Sequence, residues 1–204
     1  MKEIKNIIFD LGGVLLNIDY QKTADAFKML GVQQFDQLYS QVNANNLFEA
    51  LETGAISEED FYQSLYQYCS PHSTTQQMEH AWNAILLDFR KDSLQVLESL
   101  KVKYNLFLLS NTNSIHLTAF ARILKEETGN ASLDDYFIKS YYSHIIKKRK
   151  PYADTYEWVL QDGNMIAAET LFIDDSVNNI NGASSVGIRT HLLLPSETLA
   201  DLHL

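Results

Sequence analysis

The stretch IIFDLGGV occupies residues 7–14 and decides the fold of the surrounding chain. Its apolar run, Ile7 to Phe9, ends at the carboxylate of Asp10, and Gly12 and Gly13 follow. A short apolar run bounded by turn residues is typical of a buried strand, and adjacent glycines indicate a tight turn. Residues 7–14 therefore predict a buried strand with an acidic side chain at its carboxyl end.

Four further apolar runs have the same character, and from Leu94 onward amphipathic helical patterns separate them. These runs are Leu106–Leu109, Ile138–Tyr142, Thr170–Ile173 and Ile188–Leu194. Continuous apolar strands that alternate with amphipathic helices are typical of a parallel sheet covered on both faces. The sequence therefore predicts an α/β fold with a doubly wound, Rossmann-like parallel sheet.

Residues 16–92, between the first and second runs, show helix signals and no convincing strand. Glycines that stop a helix and capping boxes that start one indicate about four helices. The signals are Gly31, Gly54, Ser57 with Asp60, and Ser73 with Gln76. We predict that residues 1–15 and 93–204 form the α/β core and that residues 16–92 form an all-helical cap inserted after the first strand.

Composition limits the class of protein. The chain has 204 residues, and because 46% of them are hydrophobic it can build a packed core. Its net charge is −10, so it repels a nucleic-acid backbone. One cysteine, Cys69, excludes an internal disulfide, and no apolar stretch has the length of a membrane span. We therefore expect a cytoplasmic protein with neither a nucleic acid nor a membrane as partner. The sequence leaves the oligomeric state open.

Polar side chains stand where three of the apolar runs end. Asp10, Ser110 and the pair Asp174-Asp175 occupy these positions, and Lys150 adds a cation from a loop. The carboxyl ends of parallel strands lie along one edge of a sheet, where ligands bind, so these side chains should converge. A nucleophilic carboxylate, a hydroxyl, an ammonium and an acid pair able to bind a metal are the parts needed to hydrolyse a phosphate ester.

Together these segments resemble the motifs of the haloacid dehalogenase-like hydrolase superfamily. The matching stretches, in the order typical of that superfamily, are FDLGGV at 9–14, LSNTN at 109–113, KP at 150–151 and FIDDS at 172–176, with Asn179 and Gly182. The resemblance implies a Rossmann-like core with a small helical cap. It also implies a phosphatase that forms an aspartyl-phosphate on a carboxylate nucleophile.

The resemblance further implies a role for each residue. Asp10 would be the nucleophile, and Lys150 would neutralise charge on it and on the phosphoryl group. Ser110 and Asn111 would form hydrogen bonds to the phosphoryl oxygens. The neighbouring Lys147, Lys148 and Arg149 are expected to be structural or substrate-approach charges.

A magnesium site is the other implication. Adjacent carboxylates repel each other unless a cation compensates them, and Mg²⁺ prefers a few carboxylates with waters and a phosphate oxygen. Asp10, the backbone carbonyl of Gly12 and Asp175 would bind Mg²⁺. Asp174 would either bind the ion or support the residues that do.

Gly12 departs from the superfamily pattern, because most of its phosphatases carry there a second aspartate that transfers a proton. General acid–base catalysis is worth about 10²–10⁴-fold. Three explanations are open for the missing aspartate. Another acid could transfer the proton, with Asp19 as the nearest candidate, or the leaving group could need little acid, as in an anomeric sugar phosphate. The third is that the protein is a poor or inactive enzyme. A subgroup resembling the bacterial alpha-D-glucose-1-phosphate phosphatase shares the glycine, an acid near Asp19 and a tryptophan like Trp82, and is active.

The cap region has an unusual charge pattern that bears on the substrate. Between Met29 and Phe89 there are eight acids and no Lys or Arg, which suits neutral hydroxyls better than a second phosphate. We therefore expect a small phosphomonoester of a neutral, hydroxylated molecule, such as a sugar phosphate. The alternatives are a metal-independent 2-haloacid dehalogenase and a non-catalytic protein that binds phosphate or a partner.

Overall fold

A five-stranded parallel sheet forms the centre of the computed structural model, which describes residues 3–32, 35 and 47–204. Its strands are β1 (Asn6–Phe9), β4 (Asn105–Ser110), β5 (Lys139–Tyr142), β6 (Thr170–Asp174) and β7 (Arg189–Leu192). The order is β5-β4-β1-β6-β7, and every neighbouring pair is parallel. The predicted doubly wound sheet is confirmed, and the five strands lie at the five apolar runs.

Helices cover both faces of this sheet. The core helices are α5 (Lys91–Leu100), α6 (Ser114–Thr128), α7 (Ser143–Ile146), α8 (Ala153–Asp162) and α9 (Val177–Ser185), with short 3₁₀ turns at Leu133–Tyr136, Ala167–Glu169 and Leu199–Leu202. Successive side chains of a strand point to opposite faces. Accordingly Ile7 and Phe9 join a cluster with Leu97 of α5, whereas Ile8 joins another with Val159 of α8. The alternation explains why the run must be apolar throughout.

The cap contains four helices within the described residues, in agreement with the number expected. They are α1 (Tyr20–Met29), α2 (Leu47–Glu52), α3 (Glu58–Tyr66) and α4 (Thr75–Asn83). Phe27, Phe61 and Trp82 lie in their shared hydrophobic cluster, which Ile115 of α6 joins from the core. The cap therefore packs directly on the helix that follows β4.

One of the two predicted capping boxes is confirmed and the other is wrong by one residue. Ser57 and Asp60 form both hydrogen bonds of the motif. At α4 the box consists of Thr74 and Gln77 rather than Ser73 and Gln76. The reason is that the Ser73 amide donates to the Ser70 carbonyl in the preceding turn, so the helix begins one residue later.

The expectation of no strand within residues 16–92 is also wrong. Strands β2 (Leu16–Ile18) and β3 (Leu86–Phe89) form an antiparallel ribbon, and Leu16 and Phe89 are buried in the same cluster as Ile7. Strands of three and four residues are too short to produce a periodic signal. This ribbon carries the chain out of the core into the cap and back.

None of the described helices combines the length and the hydropathy that crossing a bilayer requires.

Candidate active site

The sheet order brings the predicted polar residues to one edge. Strand β1 lies between β4 and β6, and Phe9 is in register with Leu108 on one side and Ile173 on the other. The Asp10 amide donates to the Ile173 carbonyl at 2.9 Å, which fixes the first residue after β1 against β6. Asp10 therefore lies between the ends of the strands that carry Ser110 and Asp174.

Lys150 lies at the centre of the cluster. Its Nζ is 2.6 Å from Asp10 Oδ1 and 2.7 Å from Asp174 Oδ2, and only 1% of the residue is exposed. Burial lowers the pKa of Lys150, but the attraction of the two carboxylates outweighs burial and leaves that pKa above its ordinary value. The ammonium therefore stays charged and joins two carboxylates from adjacent strands.

Asp174 accepts hydrogen bonds through both of its oxygens. Oδ1 accepts from the Ser176 amide at 2.8 Å, and the side-chain Nδ2 of Asn179 lies 3.1 Å from Oδ1 and 3.0 Å from Oδ2. With Lys150 also bound to Oδ2, the donors around this fully buried carboxylate hold it in one orientation. Whether Asp174 binds the metal directly or supports the residues that do stays a prediction.

The site has an excess of negative charge. One oxygen each of Asp10, Asp174 and Asp175 lies within 4.8 Å of the others, and Lys150 is the cation between two of them. Burial raises the pKa of Asp10 to about 7; Lys150 opposes this shift and Asp174 adds to it. Burial, followed by the charge of Asp174, also raises the pKa of Asp175. Hard oxygen donors that repel one another fit a cation such as Mg²⁺.

The Asn111 side chain holds the main chain of Lys150. Its Nδ2 donates to the Lys150 carbonyl at 2.9 Å, and the Lys150 amide donates to its Oδ1 at 2.9 Å. This amide group was expected to bind the phosphoryl oxygens, but it already makes two hydrogen bonds within the protein. Asn111 thus positions the lysine, and its phosphoryl contact stays a prediction.

Two cavities that share lining residues lie at this edge of the sheet, and one of them is lined by the cluster. The first, about 470 Å³ and here named the reactive cavity, is lined by Asp10, Lys150 and Asp175 among others. The second, about 370 Å³ and here named the inner chamber, lies between core and cap and is lined by Thr23, Trp82 and other residues. Both are lined by Gly12, Ile18, Tyr20, Glu52, Ser110 and Asn111. One composite pocket therefore joins the carboxylate cluster to a space beneath the cap.

Comparison with known proteins identifies the family. The model of the family "haloacid dehalogenase-like hydrolase" matches residues 4–187. The chain belongs to the haloacid dehalogenase-like hydrolase family.

Several members of this family are similar over nearly the whole chain. D-ribitol-5-phosphate phosphatase of Bacteroides thetaiotaomicron is 31% identical over 92% of this chain and 90% of its own. A family enzyme from the same organism, solved with magnesium and inorganic phosphate, is 32% identical with a TM-score of 0.88, covering 98% of this chain and 100% of that one. A predicted family hydrolase from Porphyromonas gingivalis is 33% identical with a TM-score of 0.88, and the match covers 99% of this chain and 97% of that one. The narrower resemblance to the alpha-D-glucose-1-phosphate phosphatase subgroup stays a prediction.

Gly12 and Gly13, which follow Asp10, differ in the atoms that surround them. Gly13 has a φ of +74°, and a Cβ there would lie 2.0 Å from Asp175 Oδ2, so a side chain would displace that carboxylate. At Gly12, a Cβ would lie 3.2 Å from Ile18 Cδ1, within the composite pocket. The Gly12 carbonyl as a metal ligand stays a prediction.

Asp19 lies at the entrance to the cap, where its carboxylate caps helix α1. Its Oδ1 accepts a hydrogen bond from the Gln21 amide at 2.9 Å. The described residues that line the two cavities include Ile18 and Tyr20, but Asp19 is not among them. Its role as proton donor stays a prediction.

The pairing of Glu52 with Arg149 was not predicted from the sequence. Glu52 ends cap helix α2 and lines both cavities. Arg149 Nε lies 3.1 Å from Glu52 Oε2, and its Nη1 lies 3.0 Å from Glu49 Oε2. Burial raises the pKa of Glu52, and Arg149 opposes that shift. A basic run on the core and an acid on the cap gave no signal of a contact, because their partners lie far apart in the chain.

Proposed function

We propose that this hydrolase is a magnesium-dependent phosphatase acting on a small phosphomonoester of a neutral, hydroxylated molecule, such as a sugar or polyol phosphate. The observation that carries the proposal is the buried Lys150 ammonium between Asp10 and Asp174, with Asp175 alongside, at the floor of the reactive cavity. A carboxylate held by a lysine and open to a cavity is suited to attack phosphorus.

Asp10 acts first in the proposed reaction. A carboxylate oxygen attacks phosphorus in line, the bond from phosphorus to the ester oxygen breaks, and an aspartyl-phosphate forms. Water then attacks the phosphorus of that intermediate, which releases inorganic phosphate and restores the Asp10 carboxylate. Lys150 stabilises the ionised form of Asp10 against the burial that raises its pKa.

The remaining residues hold charge and orientation. Asp10, Asp175 and the Gly12 carbonyl would hold Mg²⁺, with Asp174 as a further ligand or as support, and the ion would supply positive charge that reduces repulsion between the carboxylates and the phosphoryl group. Ser110 lines both cavities, and its hydroxyl would donate to a phosphoryl oxygen. Asn111 and Asn179 fix Lys150 and Asp174. Asp19 remains the proposed donor of the proton to the leaving oxygen, and it then takes a proton from the attacking water, which restores its acid form.

The relatives support the proposal and extend it to the substrate. One is named as a phosphatase of a polyol phosphate, and another was solved with magnesium and inorganic phosphate. The inner chamber adjoins the reactive cavity and, at about 370 Å³, falls in the size range of small-molecule sites. A phosphoryl group in the reactive cavity would leave the carbon chain of the substrate in that chamber.

A phosphate-release assay tests the function. Ribitol 5-phosphate, glucose phosphates and phenyl phosphate would be supplied with Mg²⁺ or with chelator, and Asp10→Asn is the isosteric control. We expect release that requires Mg²⁺ and falls at least about 10⁴-fold in Asp10→Asn. Halide release from a 2-haloacid in chelator would instead establish the dehalogenase alternative. If the wild type released no more phosphate than Asp10→Asn from every ester, the non-catalytic alternative would hold.

A further inference from the structure

The peptide group between Arg149 and Lys150 is held at both of its polar ends. Its carbonyl accepts a hydrogen bond from the Thr155 hydroxyl at 2.7 Å, and its N–H donates to Asn111 Oδ1 at 2.9 Å. Thr155 is fully buried and lies in the first turn of α8. Because a peptide group is planar, bonds at its two ends fix its orientation and the position of the Lys150 Cα, from which the ammonium side chain extends.

Tyr156, the next residue of α8, is tied to the other side of the ion pair. It is fully buried, and its hydroxyl donates to the Asn179 carbonyl at 2.8 Å. The side chain of Asn179 in turn contacts both oxygens of Asp174. The Tyr156 ring packs on Phe172 at a centroid distance of 5.6 Å, and the Lys150 Nζ lies 5.3 Å from the centroid of the same Phe172 ring. One helical turn therefore contacts the supports of the ammonium and of the carboxylate that it pairs with.

Helix α9 packs closely on the same turn. A Cβ at Gly182 would lie 2.2 Å from the Pro151 carbonyl oxygen and 2.9 Å from Tyr156 Cε2, so only a glycine allows this approach. Protein interiors are packed as densely as organic crystals and transmit strain. The loss of a hydrogen bond in this turn is therefore expected to reach the Lys150 ammonium, which lies 2.6 Å from Asp10 Oδ1.

Resting on the proposed phosphatase function, we propose that Thr155 and Tyr156 are positioning residues for the reaction. Thr155 fixes the peptide group from which Lys150 extends, and Tyr156 holds Asn179, which orients Asp174. Neither Thr155 nor Tyr156 is among the described residues that line the reactive cavity or the inner chamber, so both act through the ion pair and not on the substrate. Lys150 stabilises charge in the transition state, where a displacement of about 1 Å can cost about 10²-fold in rate.

Two variants that remove only a hydroxyl test the positioning role. Thr155→Val keeps the shape of the side chain, and Tyr156→Phe keeps the ring. Both would be assayed with Mg²⁺ on the ester that the wild type hydrolyses fastest among ribitol 5-phosphate, glucose phosphates and phenyl phosphate. We expect kcat to fall about tenfold in each variant, with KM within about twofold of the wild type. Thr155→Ser restores a hydroxyl donor and should return kcat to within about threefold of the wild type.

Two other buried hydroxyls of the core provide matched controls. Thr170 is fully buried and donates to the Ile166 carbonyl at 2.9 Å, and it begins the strand that Asp174 ends. Tyr141 is fully buried and donates to Asp162, the last residue of α8. Thr170→Val and Tyr141→Phe remove the same groups and should leave kcat within about twofold of the wild type. Equal losses of kcat in the test and control variants would overturn the proposal.

A stability measurement separates this proposal from the phosphatase function, because it needs no turnover. Urea unfolding would be measured for Thr155→Val, Lys150→Met and the double variant. If Thr155 acts through the lysine, the shift in the urea midpoint that Thr155→Val causes should be about halved in the Lys150→Met background. The shifts of Thr170→Val and Lys150→Met should add. Additive shifts for Thr155→Val as well would overturn the positioning role, whereas coupled shifts in a protein without turnover would contradict only the phosphatase function.

Discussion

The buried polar groups around Lys150 and those around Trp82 differ in how fully they are hydrogen-bonded. In the first, Lys150 and Asp174 are joined to each other and to Asp10, Ser176 and Asn179 before any substrate arrives. In the second, the Trp82 N–H and an oxygen of Glu52 are buried without a hydrogen bond. A satisfied network holds reacting groups ready. The hydrogen-bonded groups belong to the core, and the unpartnered N–H belongs to the cap.

Asp19 offers the strongest way to break this division, because it lies at the junction of the β2–β3 ribbon and the cap. If it donates the proton, Asp19→Asn should lower kcat about 10²–10⁴-fold on esters with poor leaving groups. Asparagine caps helices as well as aspartate does, so the free energy of unfolding should change by only a few tenths of a kcal/mol. Steady-state kinetics and urea unfolding measure the two effects. An unchanged kcat in Asp19→Asn would show that Asp19 caps the helix but does not take part in the reaction.

Replacing Lys150 tests how much the satisfied network stabilises the core. Lys150→Met leaves two buried carboxylates without their cation, which should lower the free energy of unfolding by about 3–5 kcal/mol in chelator. Lys148→Met is the control, because Lys148 pairs with the exposed Asp154 and its loss should cost about 1 kcal/mol or less. Urea unfolding of both variants checks the difference. Equal losses of unfolding free energy in the two variants would show that the buried network stabilises the fold no more than a surface ion pair does.

The neutrality of His116 sharpens the description of the chamber. Burial lowers its pKa to about 4 in the folded state, below the value of about 6.5 in an unfolded chain. Between these values the unfolded state binds more protons, so stability is lost as pH falls from about 6.5 to 4, by up to about 3 kcal/mol. His116→Gln should lack this loss, and the exposed His72→Gln should follow the wild type. Parallel stability–pH curves for wild type and His116→Gln would mean that the pKa of His116 is the same in the folded and the unfolded protein.

Magnesium binding gives the smallest expected effect and tests the charge excess directly. An ion that binds only the folded state should stabilise the wild type by about 2.7 kcal/mol at one hundred times its Kd. Asp175→Asn should lose most of that gain, whereas Asp154→Asn, which removes an exposed acid outside the cluster, should keep it. Thermal unfolding with increasing Mg²⁺ measures both. Full magnesium stabilisation of Asp175→Asn would remove Asp175 from the proposed ligand set.

The sequence predicted the core more completely than the cap, for physical reasons. Residues such as Ile7 to Phe9 must be apolar on both faces of a covered sheet, so strand positions appear directly as runs, and the residue that ends each run faces the ligand edge. The β2–β3 ribbon gave no such signal because its strands are too short. The pairing of Glu52 with Arg149 and the isolated N–H of Trp82 are properties of packing, which a single sequence does not encode at any fixed spacing.

The contact between position 12 and Ile18 has a consequence for how this protein could change. An aspartate at Gly12, the residue most phosphatases of the superfamily are expected to carry, would bring its Cβ within 3.2 Å of the Ile18 Cδ1 atom. Installing the missing acid therefore requires the end of the Ile18 side chain to shift by a few tenths of an ångström. Positions 12 and 18 are therefore coupled, and the freedom of the Ile18 side chain to move decides whether an acid at position 12 is tolerated without a second change.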